Sequence, residues 1–494
     1  MIEKTIKELI AYAKIHLGLL DSDERYFTNY LMYRLDVKLP QDVEIDIEHI
    51  KEMTRPDELV KDLEEYLTLK GLDDKAKEKF ITELFGMLTP LPSRFNDIFW
   101  NLYQKDKVKA TDYFFDLSIK NNYVQKSKIE QNIIIESNRG DHDLVVTINL
   151  SKPEKSNKDI KAALSAAKTQ ETYPKCAICI ENEGCGGSEK TPPRQNLRLI
   201  PLKLDNRDWY MQYSPYGYYN EHCIVILDKH TPMIVSKDNV QALFDFIDYF
   251  PHYFLGANSD LPIVGGSILT HEHFQGGNYT LPLMKASIKK ELGTVNGIKH
   301  SILNWPSFAL YLEGKDSLAL AERIDDILSV WRKYNDESVD IIANDGEQHN
   351  TITTIAKKAK DGYGVYIIPR NNRCNDKYPG GIFHVHPERQ IIKNEGIGLI
   401  EAMGLFILPP RLLRQLKSVE EIVKEPHRRE EIYAASPDIK DFELYINALI
   451  NKEYKDVNDV LSSVCDTILK DISVFKDDEA GLKAQERFLK EINL

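Results

Sequence analysis

Two short patterns in this chain carry residue types that could do chemistry. The first is His271-x-His273-x-Gln275. In an extended segment successive side chains point to opposite faces, so His271, His273 and Gln275 would line up together while Glu272 and Phe274 face away. A neutral imidazole is a competent nucleophile toward phosphorus, and the phosphoramidate it forms is reactive enough to pass the group on. An amide such as Gln275 can donate a hydrogen bond to a phosphoryl oxygen without altering its charge. Upstream, Gly265-Gly266-Ser267 is flexible enough to bring backbone N–H groups close to an anion. Downstream, Gly276-Gly277 leaves room for something bulky. The competing reading is a half-buried strand whose two histidines are merely satisfied polar groups, since short motifs often match by chance.

The second pattern is Cys176-x-x-Cys179. This spacing lets two thiolates reach one soft cation, and a tetrahedral site then needs two more ligands. Cys185, in Gly184-Cys185-Gly186-Gly187, is a spare candidate. The plainer alternative is a pair of reduced, partly buried thiols. The chain has no second Cys-x-x-Cys of the kind a zinc ribbon needs.

Positioning these side chains falls to elements legible in the periodicity. The chain has 494 residues, which suggests two to four domains rather than one core. Residues 1–128 read as helical: Ile2, Ile6, Leu9, Ile10, Ala13 and Leu17 recur at helical spacing, and further amphipathic segments cover 57–70 and 74–88. Thr89 to Ser93 is a break, and Phe95 to Phe115 is an aromatic-rich helical stretch to which no chemistry is assigned. Residues 129–290 change character, with strand-like runs at 132–136, 144–150, 198–204, 209–213 and 222–227, and a helix over Asn239 to Phe254. Pro153 to Lys168 reads as polar with a short helix. Residues 291–494 form a further unit: a strand at 308–312, a helix over Ser317 to Tyr334, a β-pair turning at Asp361-Gly362, and a charged helical segment from Pro410 on. His384-x-His386 is a weak echo of the first motif. Strands mixed with helices in this order indicate an α+β fold.

Composition narrows the function classes. With 42% apolar and 29% charged residues the chain reads as a soluble globular protein. A formal net charge of −13 repels nucleic acid and anionic membranes, so a phosphate site must be a local pocket working against the overall field. No apolar run reaches the roughly 18 residues of a membrane span. The charged N-terminus lacks a signal-peptide core, which points to the cytoplasm, where clustered cysteines more often mean metal than disulfides.

Taken together, these motifs resemble the galactose-1-phosphate uridylyltransferases, in the form typical of Gram-positive bacteria, within the histidine-triad superfamily. The resemblance spans nearly the whole chain. It is carried by Met1 to Arg34, by Cys176 to Thr231 with Pro193 to Asn196 and Tyr213 to His222, by Gly265 to Gly277, and by Gly398 to Gly404 running into Leu408 to Arg411. The His271-x-His273-x-Gln275 match is its most specific part. The better-studied branch has proline where Glu272 stands, and its Gly-x-Ser appears here as Gly265-Gly266-Ser267, one residue further from the histidines.

The resemblance implies two histidine-triad-like antiparallel sheet units flanked by a helical N-terminal region and a helical C-terminal tail. It implies His273 as nucleophile and Gln275 as phosphate contact. Cys176, Cys179, His230 and His271 become ligands of a structural zinc, with no organic cofactor. Asn196 is the ribose contact, Gly266 and Ser267 belong to the phosphate loop, and Arg194 or Arg139 is the diphosphate arginine. The implied partners are UDP-glucose, UDP-galactose and hexose 1-phosphates, with no nucleic acid or membrane, in a homodimer. The implied reaction exchanges UMP between UDP-glucose and galactose 1-phosphate through a uridylyl-histidine. Two rivals stand beside it. A histidine-triad nucleotide phosphorylase or hydrolase would consume UDP-glucose without galactose 1-phosphate. A zinc-stabilised binding protein would hold metal but form no covalent adduct.

Overall fold

The structure, a computed structural model, describes residues 2–38, 43–150, 173–188 and 191–494. The short helix expected within Pro153 to Lys168 lies outside these residues. The fold is mixed α+β, with helices at both ends of the chain and sheets between them, as the alternating patterns predict. In chain order the strands are β1 (Ile133–Asn138), β2 (Asp143–Ile148), β3 (Ile200–Leu204), β4 (Arg207–Tyr213), β5 (Cys223–Leu227), β6 (Phe254–Ala257), β7 (His273–Gly277), β8 (Ile288–Val295), β9 (Ile298–Leu303), β10 (Leu310–Gly314), β11 (Asn350–Ala359), β12 (Gly362–Asn371) and β13 (Leu405–Leu408). The chain divides into two compact units. One comprises Met1–Glu130, Glu171–Lys203 and Arg207–His230, and the other Gln131–Gln170, Leu204–Asn206 and Thr231–Leu494.

The first unit opens with a run of helices whose starts follow the capping chemistry of the sequence. The Asp73 side chain accepts from the Ala76 N–H ahead of Asp74–Leu88, and that of Asp106 from the Val108 and Lys109 N–H groups ahead of Lys107–Lys120. The break at Thr89 to Ser93 places Pro92 in the first turn of Pro92–Tyr103, where its missing N–H costs nothing. Phe95, Phe99 and Phe114 are buried, and the Phe114 ring lies 4.6 Å from that of Tyr213 on β4. The aromatic stretch is therefore core. Strand β4 pairs antiparallel with β5, Trp209 opposite Leu227 and Tyr213 opposite Cys223.

In the second unit β1 and β2 form the expected hairpin, with β13 added parallel to β2. The remaining strands lie in the order β7-β6-β11-β12-β10-β9-β8. Strand β6 pairs with β7 on one side and with β11 on the other, so strands before and after residue 290 share one sheet. The helix Lys237–Tyr249 buries Val240, Leu243, Phe244 and Ile247, the face the spacing predicts. It stops before the expected Phe254 because Pro251 disfavours a helical conformation at Phe250, and Phe254 instead begins β6. The β8–β9 hairpin is absent from the sequence expectations, although its turn residues Asn296 and Gly297 have φ of 50° and 79°, the left-handed pair that Asn-Gly supplies. His384 and His386 sit in irregular chain rather than on a strand, so the echo of the first motif has no structural counterpart.

One sequence expectation is reversed at β7. Gly276 does not open space for a ligand. A Cβ built there would lie 2.3 Å from the Phe254 carbonyl oxygen and 2.8 Å from Leu255 Cδ1. The missing side chain lets β6 and β7 approach each other. Gly276→Ala is expected to lower stability by about 1–3 kcal/mol, the range of an overpacked buried site, as a fall in the urea midpoint at unchanged m-value.

Candidate active site and metal centre

His273 opens β7 and is buried. Its Nδ1 lies 2.7 Å from the carbonyl oxygen of His271, which can only accept, so Nδ1 carries the hydrogen and Nε2 the lone pair. Its backbone N–H reaches Met233 Sδ at 3.2 Å. Burial pulls the imidazole down to about 4, against a smaller opposing effect from the His271 carbonyl. At neutral pH the ring is neutral, and the bond from Nδ1 to the neighbouring backbone leaves the lone pair on Nε2. The register places Gln275 opposite Gly256 and Phe274 opposite Ala257, so Gln275 shares a sheet face with His273.

Glu272 points the other way, as alternation requires. Its carboxylate accepts a hydrogen bond from Asn239 Nδ2 at the start of Lys237–Tyr249, and its N–H donates to the Thr231 carbonyl at 2.7 Å. Where the better-studied branch has a proline to stiffen the backbone, this chain ties the same position down through a side chain.

The loop before the motif is also held. A Cβ on Gly265 would lie 2.4 Å from the Ser259 carbonyl oxygen, and one on Gly266 would lie 2.9 Å from Asn258 Nδ2. Asp260 anchors the base of the loop, accepting from Thr351 Oγ1, from the Val235 N–H at 3.0 Å and from Arg332 Nη2 at 3.2 Å. Ser267 is exposed and Gly266 half-buried.

Cys176, Cys179, His230 and His271 bring one potential ligand atom each to within 4.8 Å of one another. Two sulfurs and two imidazole nitrogens are the donor types of a tetrahedral zinc site, whose bonds of roughly 2.0–2.3 Å put neighbouring ligand atoms under about 4 Å apart, so the group would close in slightly around an ion. Cys185, the spare candidate, is not in this group. Sequence reasoning misses the residue that shapes the knuckle: buried Asn182 donates through Nδ2 to the Cys176 and Cys179 carbonyls at 2.9 and 2.8 Å. Its only sequence signal is its place three residues after Cys179.

The other candidates are placed as follows. Asn196 is buried and exchanges hydrogen bonds with Asn121: its Nδ2 donates to the Asn121 carbonyl at 3.0 Å, and Asn121 Nδ2 donates to the Asn196 carbonyl at 2.7 Å. Arg194 lies over the Tyr123 ring at 5.5 Å from its centroid. Arg139 is ion-paired with Asp459 at 2.9 Å, a carboxylate partner of a kind that Arg194 does not show among the described residues.

Residues 52–232 match the family model described as galactose-1-phosphate uridyl transferase, N-terminal domain. The chain is 39% identical to a galactose-1-phosphate uridylyltransferase of Fusobacterium nucleatum subsp. nucleatum over 99% of this chain and 98% of that one. It is 40% identical to the enzyme of the same name from Caldanaerobacter subterraneus subsp. tengcongensis, over 98% and 96%. The one from Lactococcus lactis subsp. cremoris is 37% identical over 100% and 99%. No solved structure matches the chain.

Proposed function

We propose a covalent uridylyl-transfer chemistry for this chain, which belongs to the galactose-1-phosphate uridylyltransferase family. The enzyme exchanges UMP between UDP-glucose and galactose 1-phosphate, a step of galactose metabolism. His273 Nε2 attacks the α-phosphorus of UDP-glucose. An N–P bond forms, the bond to the bridging oxygen breaks, and glucose 1-phosphate leaves as its own anion, with no acid needed. A phosphate oxygen of galactose 1-phosphate then attacks the same phosphorus, the N–P bond breaks, and UDP-galactose departs with the imidazole restored to neutrality. Gln275 and the Gly266-Ser267 backbone meet the charge on the five-coordinate phosphorus, Arg194 faces the diphosphate and Asn196 the ribose. Cys176, Cys179, His230 and His271 hold a structural zinc. The enzyme works in the cytoplasm as a homodimer; among the described residues no helix is long and apolar enough to cross a membrane.

The observation that carries this reading is the fixed tautomer of His273, a buried neutral imidazole whose Nδ1 is occupied by its own chain. The test is isotope exchange. Labelled glucose 1-phosphate should enter UDP-glucose in the absence of galactose 1-phosphate, as a double displacement requires. Gln275→Ala should retain exchange at a rate lowered by roughly 10²-fold, the usual cost of one oxyanion donor. Exchange that needs the second sugar phosphate, or an unimpaired Gln275→Ala enzyme, would contradict the mechanism or the role of Gln275 respectively.

A further inference from the structure

A second polar cluster lies on the same sheet face as His273. The segment Ile397 to Leu399 covers that face: a Cβ on Gly256, the residue paired with Gln275, would lie 2.4 Å from Leu399 Cδ1. The Leu399 N–H donates to Asn258 Oδ1 at 2.9 Å, and the Ile397 N–H to His384 Nε2 at 3.1 Å. Arg370 Nη2 donates to the Ile397 carbonyl at 2.9 Å. Three side chains from β12, from the chain after β6 and from the irregular segment at 384 therefore converge on one short stretch of backbone.

What they have left over is donors. Arg370, His384 and Asn258 are 0%, 2% and 1% exposed, yet Arg370 Nε and Nη1, His384 Nδ1 and Asn258 Nδ2 meet no acceptor among the described residues. Because His384 Nε2 accepts from Ile397, its hydrogen sits on Nδ1, the unpartnered atom. Burial, with Arg370 and Lys393 nearby, holds this imidazole down to about 3, so it stays neutral. Arg370 is pushed down only to about 10 and keeps its charge. Lys393 is occupied by Glu401 at 2.8 Å, Glu395 at 3.4 Å and the Ile407 carbonyl at 3.0 Å, while no carboxylate among the described residues lies within ion-pair distance of Arg370. Unpaired buried donors are rare because each costs free energy, and leftover donors around one guanidinium are complementary to an anion; Glu401, the carboxylate whose charge acts on Arg370, is itself paired with Lys393. The cluster adjoins the candidate phosphate loop, since Asn258 Nδ2 lies against Gly266.

We propose that Arg370, His384 and Asn258 form a phosphate subsite that receives the phosphoryl group travelling with the sugar, the one that leaves in glucose 1-phosphate and arrives in galactose 1-phosphate. This rests on the uridylyl-transfer reading and adds to it a second anchor, so that the α-phosphorus is presented to His273 from a group held beside it.

The experiment uses the full chain, thermal shift and steady-state kinetics. Galactose 1-phosphate and inorganic phosphate should each raise the melting temperature of the parent, and galactose should not. Arg370→Met should abolish both shifts and raise KM for galactose 1-phosphate by about tenfold or more, the loss expected for charge-assisted hydrogen bonds. His384→Leu, which keeps the cation, should raise it by a few-fold and guards against a misfolded Arg370→Met. Stabilisation by inorganic phosphate but not by galactose 1-phosphate would assign the pocket to free phosphate and overturn the substrate role. Unchanged shifts and KM in both variants would overturn the subsite altogether. The underlying reading fails separately, through loss of isotope exchange between glucose 1-phosphate and UDP-glucose in the parent.

Discussion

His273→Asn is expected to lower uridylyl transfer by roughly 10⁴-fold or more, as removal of a covalent nucleophile does. The parent incubated with UDP-glucose, with glucose 1-phosphate removed, should gain one uridylyl group by intact mass, and peptide mapping should place it on His273. The variant should gain none. Asparagine suits the test because its amide fills a similar volume and its Nδ2 can still donate to the His271 carbonyl that now receives His273 Nδ1 at 2.7 Å. What it lacks is the lone pair at the Nε2 position. The melting temperature should therefore move little while the chemistry disappears, which separates a lost nucleophile from a lost fold. A uridylylated variant, or an adduct mapped to another residue of the parent, would remove the central element of the mechanism.

Alternation on a strand is a local rule, and β7 obeys it over His273 and Gln275, so their shared face is legible in the sequence while its support is not; His271 lies just ahead of the strand. The role of Gly276 is the reverse of its sequence expectation because a glycine's use depends on what approaches it, here the Phe254 carbonyl of a neighbouring strand. Arg370 has no local signal at the end of the apolar run from Val365 to Pro369. Its importance lies in having no carboxylate within ion-pair distance among the described residues, Glu401 acting on it only from further off, and in two idle N–H groups, which only tertiary structure discloses. Helix ends are recoverable where a cap such as Asp73 or Asp106 writes them locally. The expected helix overruns at Phe254 because periodicity alone does not weigh Pro251, and the β8–β9 hairpin escapes the periodicity despite its Asn296-Gly297 turn. Long-range agreement, such as four ligand atoms drawn from residues 176 to 271, has no short-range signature beyond the two cysteines.

That group supports the second large effect. Cys176→Ser is expected to lower metal content from about one zinc per chain to a small fraction, and to lower the melting temperature by roughly 10 °C, because a structural site contributes its binding free energy directly to folding. The fit is in the donor set: two thiols and two imidazoles within 4.8 Å of one another, with Asn182 bracing the Cys176 and Cys179 carbonyls. Cys185→Ser is the control, since its sulfur is not part of the group, and it should leave both quantities unchanged. The effect should also reach the chemistry by a defined route. The His271 ring belongs to the candidate ligand group, and the His271 carbonyl is what holds His273 Nδ1. Freeing the ring therefore loosens the clamp on the nucleophile's tautomer, so the residual folded Cys176→Ser enzyme should form adduct more slowly while its preference between glucose and galactose phosphates stays the same. Metal analysis, calorimetry and the rate of uridylylation test the three parts separately. Metal content equal to the parent's would reject Cys176 as a ligand, and an altered sugar preference would mean that the site shapes the sugar pocket rather than the nucleophile.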